Sequence, residues 1–227
     1  MMKKKIVFMF FILFGIVLFL CCASDKDKQE SIIFATFAES GEQLKSIQCM
    51  AESIRTFAGK HRLAPIWVYI PDGVMEEESE ALEALCALDV EVKTSHSPED
   101  ATWFYFARKV FASARAEAEA VGRTAVLAWI DDDTIVLREP DEFILPKGKS
   151  MGYRPVMHRN IGSLYSEPAD AFWSRAYEKM SVSESSLFPM ATVADGDTIR
   201  PYFNAGCMVV RPERGILRKW ADYFPML

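Results

Sequence analysis

What this chain lacks most plainly is a basic surplus. Lysine and arginine number 26 against 32 acidic residues, giving a formal charge of −6. A protein whose main partner is nucleic acid needs a basic face to meet the phosphate backbone, so that class is set aside. No Gly-x-Gly-x-x-Gly follows the first apolar run, which weighs against a dinucleotide oxidoreductase, and no P-loop occurs. There is no internal repeat and no low-complexity tract. Cysteine is scarce: of five residues, Cys21 and Cys22 sit in an apolar leader, leaving Cys49, Cys86 and Cys207. That remainder is odd and its spacing fits no metal knuckle, so each reads as a free thiol. Histidine is scarcer still, with three residues and none beyond His158.

What is present describes one ordinary domain behind a leader. Half of the 227 residues are hydrophobic, enough for a substantial core and against intrinsic disorder. Lys3-Lys4-Lys5 precede an uncharged stretch from Ile6 to Ala23, the layout of a secretory signal or signal anchor. At helical rise that stretch spans about 27 Å, near the hydrocarbon thickness of a bilayer. The basic flank should stay cytoplasmic and the globular part lie on the far side. Cys21-Cys22-Ala23-Ser24 leaves two other readings open: cleavage after Ala23 or Ser24, and a lipidated cysteine, against which the bulky Phe19 and Leu20 speak. The expected organisation is therefore a signal peptide or membrane anchor over 1–24, a polar linker over 25–30 and a domain over 31–227. The protein is expected to associate with a membrane through its N-terminal segment.

Within the domain, apolar runs alternate with helical spacing. Ser31 to Phe37 reads as a buried first strand, and Leu44, Ile47, Ala51, Ile54 and Ala58 recur as one face of a helix. Ile66 to Ile70 forms a second strand closed by the Pro71-Asp72-Gly73 turn. Ala81, Leu82, Leu85 and Leu88 mark a second helix, with the run Glu76-Glu77-Glu78 at its N-terminal turn, and Val90 to Val92 a short strand. Trp103, Ala107, Val110, Ala114 and Val121 line a third helix ended by Gly122, and Ala125 to Ile130 is the next strand. Continuously apolar strands alternating with helices predict an α/β fold: a Rossmann-like, mostly parallel sheet with helices on both faces. Residues 138–200 break this rhythm, apart from a helix around Ala169–Met180. Regular alternation resumes at Phe203 to Val210 and a last helix through Leu217 and Trp220.

The chemistry concentrates where the fourth apolar run stops. Trp129-Ile130 is followed at once by Asp131-Asp132-Asp133. Acids ending an apolar strand stand at the carboxyl edge of a sheet, where open α/β folds bind ligands. If the strand continues, Asp131 and Asp133 share a face and Asp132 points away. Two such carboxylates suit a hard divalent cation, Mn²⁺ or Mg²⁺, that also holds phosphate oxygens. Asn204-Ala205-Gly206, ahead of Met208-Val209-Val210, puts an amide and two small residues at a strand start, where a bulky ligand can approach the backbone. The segment from Gly152 to Asn160 packs Arg154, His158, Arg159 and Asn160 into one stretch. Arginine suits phosphate recognition, which makes Arg154, His158 and Asn160 secondary candidates. Of Arg108 and Lys109, one is free to snorkel while the other reaches a phosphate.

In this order the pieces resemble the nucleotide-sugar-dependent glycosyltransferases of the GT-A fold. Trp129-Ile130-Asp131-Asp132-Asp133-Thr134-Ile135-Val136 looks like that family's Asp-x-Asp motif and its flanks, and Tyr202 to Val210 is similar to its Asn-x-Gly strand. The resemblance implies that Asp131 and Asp133 hold the metal and diphosphate, and that Asn204 and Gly206 shape the sugar site. It also implies that Phe37 and Glu39 lie in the nucleobase loop and that Arg108 faces the donor. The implied partners are a nucleotide-sugar donor and an acceptor of unspecified kind (glycan, lipid or protein), with no nucleic acid. The catalytic residue is unassigned. GT-A enzymes commonly add a metal ligand, often His, downstream of the Asn-x-Gly strand, and this sequence has none there. Either the chain is a truncated product, or the ligand comes from elsewhere, or turnover is lost. The last case defines the main alternative, an inactive sugar-nucleotide or glycan-binding protein on the same fold. A haloacid-dehalogenase-like phosphatase ranks lower, because Ile135 holds the fifth motif position and three strand–helix units precede the acids.

Overall fold

The computed structural model describes residues 30–71, 79–99 and 104–226. The apolar leader, the linker up to Gln29, the turn at Asp72-Gly73, the Glu76–Glu78 run and Trp103 lie outside the described residues. Among the described residues no helix is long and apolar enough to cross a membrane.

The strands are β1 (Ile32–Phe37), β2 (Ile66–Pro71), β3 (Val90–Ser95), β4 (Val126–Ile130), β5 (Met151–Pro155), β6 (Met190–Ala191), β7 (Thr198–Ile199) and β8 (Phe203–Val210). The helices are α1 (Gly41–Phe57), α2 (Ser79–Cys86), α3 (Ala107–Ala120), α4 (Ala171–Lys179) and α5 (Ile216–Tyr223). Six strands make one sheet in the order β3-β2-β1-β4-β8-β5. β3, β2, β1 and β4 are mutually parallel, whereas β8 runs antiparallel to both β4 and β5. The expected mostly parallel sheet is present, with β8 as its reversed member.

Strand pleating sorts the apolar residues onto two faces. Ile32 and Phe34 of β1 join Leu44, Ile47 and Ile54 of α1 and Leu85 of α2 in one core. Ile33, Ala35 and Phe37 join Trp67, Trp129, the alanines of α3 and Leu217 of α5 in the other. Every residue of β1 and β4 is buried, so these strands read as unbroken apolar runs because helices cover both sides. α1 starts on a reciprocal cap. The Ser40 hydroxyl accepts from the Gln43 amide at 3.3 Å and the Gln43 side chain accepts from the Glu39 amide at 2.9 Å.

The third helix differs from its predicted form. It begins at Ala107, and its sheet-facing stripe is Ala112, Ala116 and Ala120; Ala114 is half-buried and Val121 exposed. The reason is that α3 is covered on two sides, by the sheet and by α5. Small alanines face the sheet, while Glu117 turns to α5. Glu117 is fully buried, and its carboxylate accepts from the Ile216 amide at 2.8 Å, the Arg218 amide at 2.9 Å and Arg218 Nε at 3.1 Å. It thereby satisfies the orphan donors at the start of α5. The chain enters α5 through Gly215, whose φ of +66° only glycine adopts cheaply.

Residues 156–202 form a lesser lobe around Val156, Met190 and Ile199. Buried Arg200 ties it together, donating to the Ser163 hydroxyl at 3.0 Å and to the carbonyls of Leu164 and Glu167.

Replacing Glu117 with alanine removes the acceptor of two helix N–H groups and of Arg218 Nε, leaving Arg218 only its bond to the Pro212 carbonyl. Its expected cost is about 3 kcal/mol in chemical denaturation. A loss well under 1 kcal/mol would mean that Glu117 does not hold α5.

Candidate active site

β4 carries five buried residues and stops at Ile130, where the acids begin. The chain then turns, with the Thr134 amide donating to the Asp131 carbonyl at 3.1 Å. The strand therefore does not continue, and strand alternation is not what sorts the three carboxylates. Asp131 and Asp133 nevertheless line one recess of about 510 Å³. Asp132, expected to point away, lines a neighbouring recess of about 140 Å³ together with Asp131. Burial raises the Asp132 carboxyl above the usual carboxylate range, and repulsion from Asp131 and Asp133 adds to it. A turn fans out residues that a strand would have alternated.

Reversal of β8 brings Asn204 and Gly206 to this edge. An antiparallel strand starts where its neighbour ends, so Cys207 pairs with Ile130 and the Gly206 carbonyl accepts from the Asp131 amide at 2.9 Å. The β5–β8 register shifts between Tyr153, opposite Met208, and Arg154, opposite Asn204, so β8 bulges beside the acids. The Asn204 carboxamide oxygen folds back onto the Gly206 amide at 2.6 Å. A Cβ on Gly206 would lie 2.6 Å from Asp131 Oδ2 and 2.8 Å from Asn204 Oδ1. Glycine here keeps space for the carboxylate.

α3 supplies the positive charge. Arg108 Nη1 meets Glu39 Oε2 at 2.9 Å, and Lys109 Nζ donates to Asp131 Oδ1. Of the two basic residues it is thus Lys109 that reaches the acid motif, while Arg108 reaches the loop after β1. Phe37 is shared by the smaller recess and a third, of about 300 Å³, that Arg108 also lines. Asp131 is shared by the smaller recess and the large one. The three recesses thus form a trough along the C-terminal edge, crossing the β1–β4 junction where strand order reverses. Tyr105, Phe106 and Gln43 line it as well, and the sequence reading missed them. The aromatic Phe104-Tyr105-Phe106 run just ahead of the third helix was the available signal.

The weaker candidates part company. Arg154 lines the large recess. His158 instead faces Asp195, with Nδ1 at 3.9 Å from Oδ2, and the adjoining Asn160 takes a positive φ of 46°. Neither His158 nor Asn160 lines the three recesses. Gly148-Lys149-Ser150-Met151-Gly152 spells Gly-x-Ser-x-Gly. A nucleophile elbow needs strand, turn, helix, whereas Ser150 leads into β5 at the opposite edge of the sheet.

The donor set at Asp131 suits a hard cation. Asp131 already accepts the Lys109 ammonium, and Asp133 opens onto the same recess. Among the described residues the one group of three or more potential ligands gathered within 4.8 Å is His61, Glu139 and Asp141, which does not include Asp131 or Asp133. There the Lys60 ammonium lies 3.2 Å from Asp141 and 3.4 Å from Glu139, and these partners push Lys60 up to about 12. At Asp131 the residues present are carboxylates, the ligand type that Mg²⁺ and Mn²⁺ take from a protein.

A family model described as "Rhodobacterales glycosyltransferase domain" matches residues 35–227. No curated protein sequence matches the chain. Core-mannan synthase A of Aspergillus fumigatus, in its Mn/GDP form, superposes with a TM-score of 0.50 at 9% identity over 86% of this chain and 64% of its own. The mannosyltransferase Ktr4p of S. cerevisiae in complex with GDP gives 0.46 at 10% identity, over 90% and 66%. Mouse xyloside xylosyltransferase 1 in its apo form gives 0.46 at 14%, over 86% and 76%. The chain thus spans under two thirds of the length of the two fungal proteins. At such identities the first of these likenesses establishes the fold, which is the GT-A type.

Gly206→Ala is expected to keep the melting transition within about 1 kcal/mol of the parent, because the crowded atoms are side-chain tips. Its Mn²⁺ affinity should fall as the Asp131 carboxylate is displaced. Normal melting with an unchanged Mn²⁺ titration would show that the gap over Gly206 is not needed.

Proposed function

The chain belongs to the Rhodobacterales glycosyltransferase domain family, and from that premise we propose that it transfers a sugar from a nucleoside-diphosphate donor. The observation that carries the reading is the trough, in which Asp131 joins two recesses at the β1–β4 junction with Arg108 and Lys109 beside it. The nucleoside is assigned to the side bounded by Phe37, Glu39, Tyr105 and Phe106. The diphosphate is assigned to the neighbourhood of Asp131, and the sugar to the large recess beside Asn204 and Gly206. That recess, of about 510 Å³, lies within the usual size range of small-molecule pockets.

In transfer, the acceptor hydroxyl oxygen bonds to the anomeric carbon, the bond from that carbon to the diphosphate breaks, and the hydroxyl proton passes to the departing phosphate or to water. Charge gathers on the departing phosphate oxygens. A divalent cation, Mn²⁺ or Mg²⁺, supplies neutralisation of that charge when bound. Asp131 and Asp133 would hold it, Lys109 and Arg108 would add positive charge at the same edge, and Asn204 would grip a sugar hydroxyl. Attachment to a membrane through residues 1–24 is part of the proposal, as is an acceptor of glycan, lipid or protein character.

A second reading has a specific observation behind it. Among the described residues no third His, Cys, Asp or Glu ligand gathers at Asp131. On that ground the chain would bind a sugar nucleotide without turning it over. Detection of sugar transfer by the full chain excludes this reading.

Calorimetry with a panel of nucleotide sugars, with and without Mn²⁺, is the decisive test. Wild type should bind at least one donor more tightly with Mn²⁺, and Asp131→Ala should lose both the metal-dependent binding and any transfer. Unchanged donor binding in Asp131→Ala would overturn the assignment.

A further inference from the structure

Arg108 and Lys109 are consecutive residues in the first turn of α3, yet each is paired with an acid at the end of a different strand. Arg108 holds Glu39, two residues past β1, and Lys109 holds Asp131, the residue after β4. Because β1 and β4 are neighbours, both pairs stand at one edge. The mouth of the trough is thus neutralised from within. The two pairs differ in depth. The Lys109 and Asp131 side chains are 16% and 33% exposed, against 46% and 24% for Arg108 and Glu39, so the difference lies in the cations, with Lys109 the more withdrawn. A partly withdrawn pair feels a stronger attraction than a solvated one.

This arrangement constrains what can enter alone. A cation arriving by itself must displace the Lys109 ammonium from Asp131 Oδ1. A diphosphate arriving by itself meets an ammonium already neutralised and a carboxylate beside it. If both arrive, the charges re-pair without loss: Asp131 takes the cation and Lys109 takes a phosphate oxygen. The lysine stem, with four rotatable carbons, permits the change of partner.

We propose that Lys109 exchanges partners on loading, and that this exchange makes divalent cation and nucleoside diphosphate bind cooperatively at the trough. Lys109 is then a positioning residue for the carboxylate in the empty site and for the diphosphate in the loaded one. The inference rests on the donor-binding reading above and adds its regulation. Coupling of this kind is reciprocal: each ligand strengthens the other by the same factor.

The test is calorimetry on the full chain with Mn²⁺ alone, with GDP and UDP alone, and with each partner in the presence of the other. In wild type each ligand should tighten the other by about five- to 150-fold, the usual range of coupling between sites. Lys109→Met should bind Mn²⁺ alone more tightly than wild type and the nucleotides alone more weakly, with the coupling factor reduced to the part that direct contact between cation and diphosphate supplies. Lys109→Arg, which keeps the charge, should retain the coupling. Melting curves report whether Lys109→Met folds, and Lys109→Gln, an uncharged side chain of similar polarity, takes its place if it does not. Wild-type coupling that survives in the uncharged variant overturns the exchange and leaves the donor-binding reading standing. A wild-type chain that binds neither Mn²⁺ nor either nucleotide, alone or together, overturns both.

Discussion

Everything that makes this sheet edge chemically special depends on the reversed pairing of β8 with β4. In a wholly parallel sheet the start of β8 would lie at the bottom, a strand length away from the end of β4. Because β8 runs the other way, its first residues are delivered to the acids, and one backbone bond from the Asp131 amide to the Gly206 carbonyl, at 2.9 Å, fixes them there. The bulge between the β5 pairings of Met208 and Asn204 leaves Ala205, Gly206 and Cys207 without a partner on β5, and Asn204 and Gly206 both line the large recess. Removing either the reversal or the bulge would leave the same residues in the chain without a site.

α3 works as a strut with a different task at each end. Its last turns carry Glu117, which is buried completely and clamps the N-terminus of α5. Its first turn carries Arg108 and Lys109 to the trough. The alanine stripe between them lets the helix sit close against β1 and β4. A rigid docking of the C-terminal half is therefore what aims the N-terminal half. Side chains with functional geometry are held best by elements whose own position is over-determined by packing. The long Lys109 side chain needs that help more than the short carboxylate it meets.

The fold was legible in the sequence because parallel strands covered on both faces run almost continuously apolar, as Val126–Ile130 does and as Ile32–Phe37 does but for Thr36. Helix boundaries and faces were read less well. Of the stripe expected by spacing, Ala107 and Val110 are buried but Ala114 is half-buried and Val121 exposed, because α3 is covered by the sheet on one side and α5 on another, which buries Ala112, Ala116 and Glu117 as well. A fully buried glutamate is invisible to an apolar pattern. At the site, the composition of the acid run was readable and its conformation was not. Alternation would have set Asp132 aside, and the turn after Ile130 places it in the smaller recess with Asp131 instead. Asn204 and Gly206 were legible as small and polar at a strand start; their contact with Asp131 needed the strand direction. Lys109 and Arg108 could not be told apart by type, since only the rotation of the helix decides which of them meets Asp131.

That rotation bears on a wider question, namely how a chain with a net charge of −6 and a triple acid in its site is suited to an anionic donor. Net charge acts over distances that salt screens within about 10 Å, so what a diphosphate meets is local. Locally the acids are answered: Glu39 by Arg108 and Asp131 by Lys109. Asp132 is pushed toward its neutral form by burial and by its two neighbours. Asp133 opens onto the large recess, where Arg154 also stands. With Glu39 and Asp131 paired in this way, a divalent cation supplies the positive charge that the trough does not hold by itself. On this account the three aspartates do not repel the donor they are proposed to hold; they make its binding conditional on the cation that comes with it.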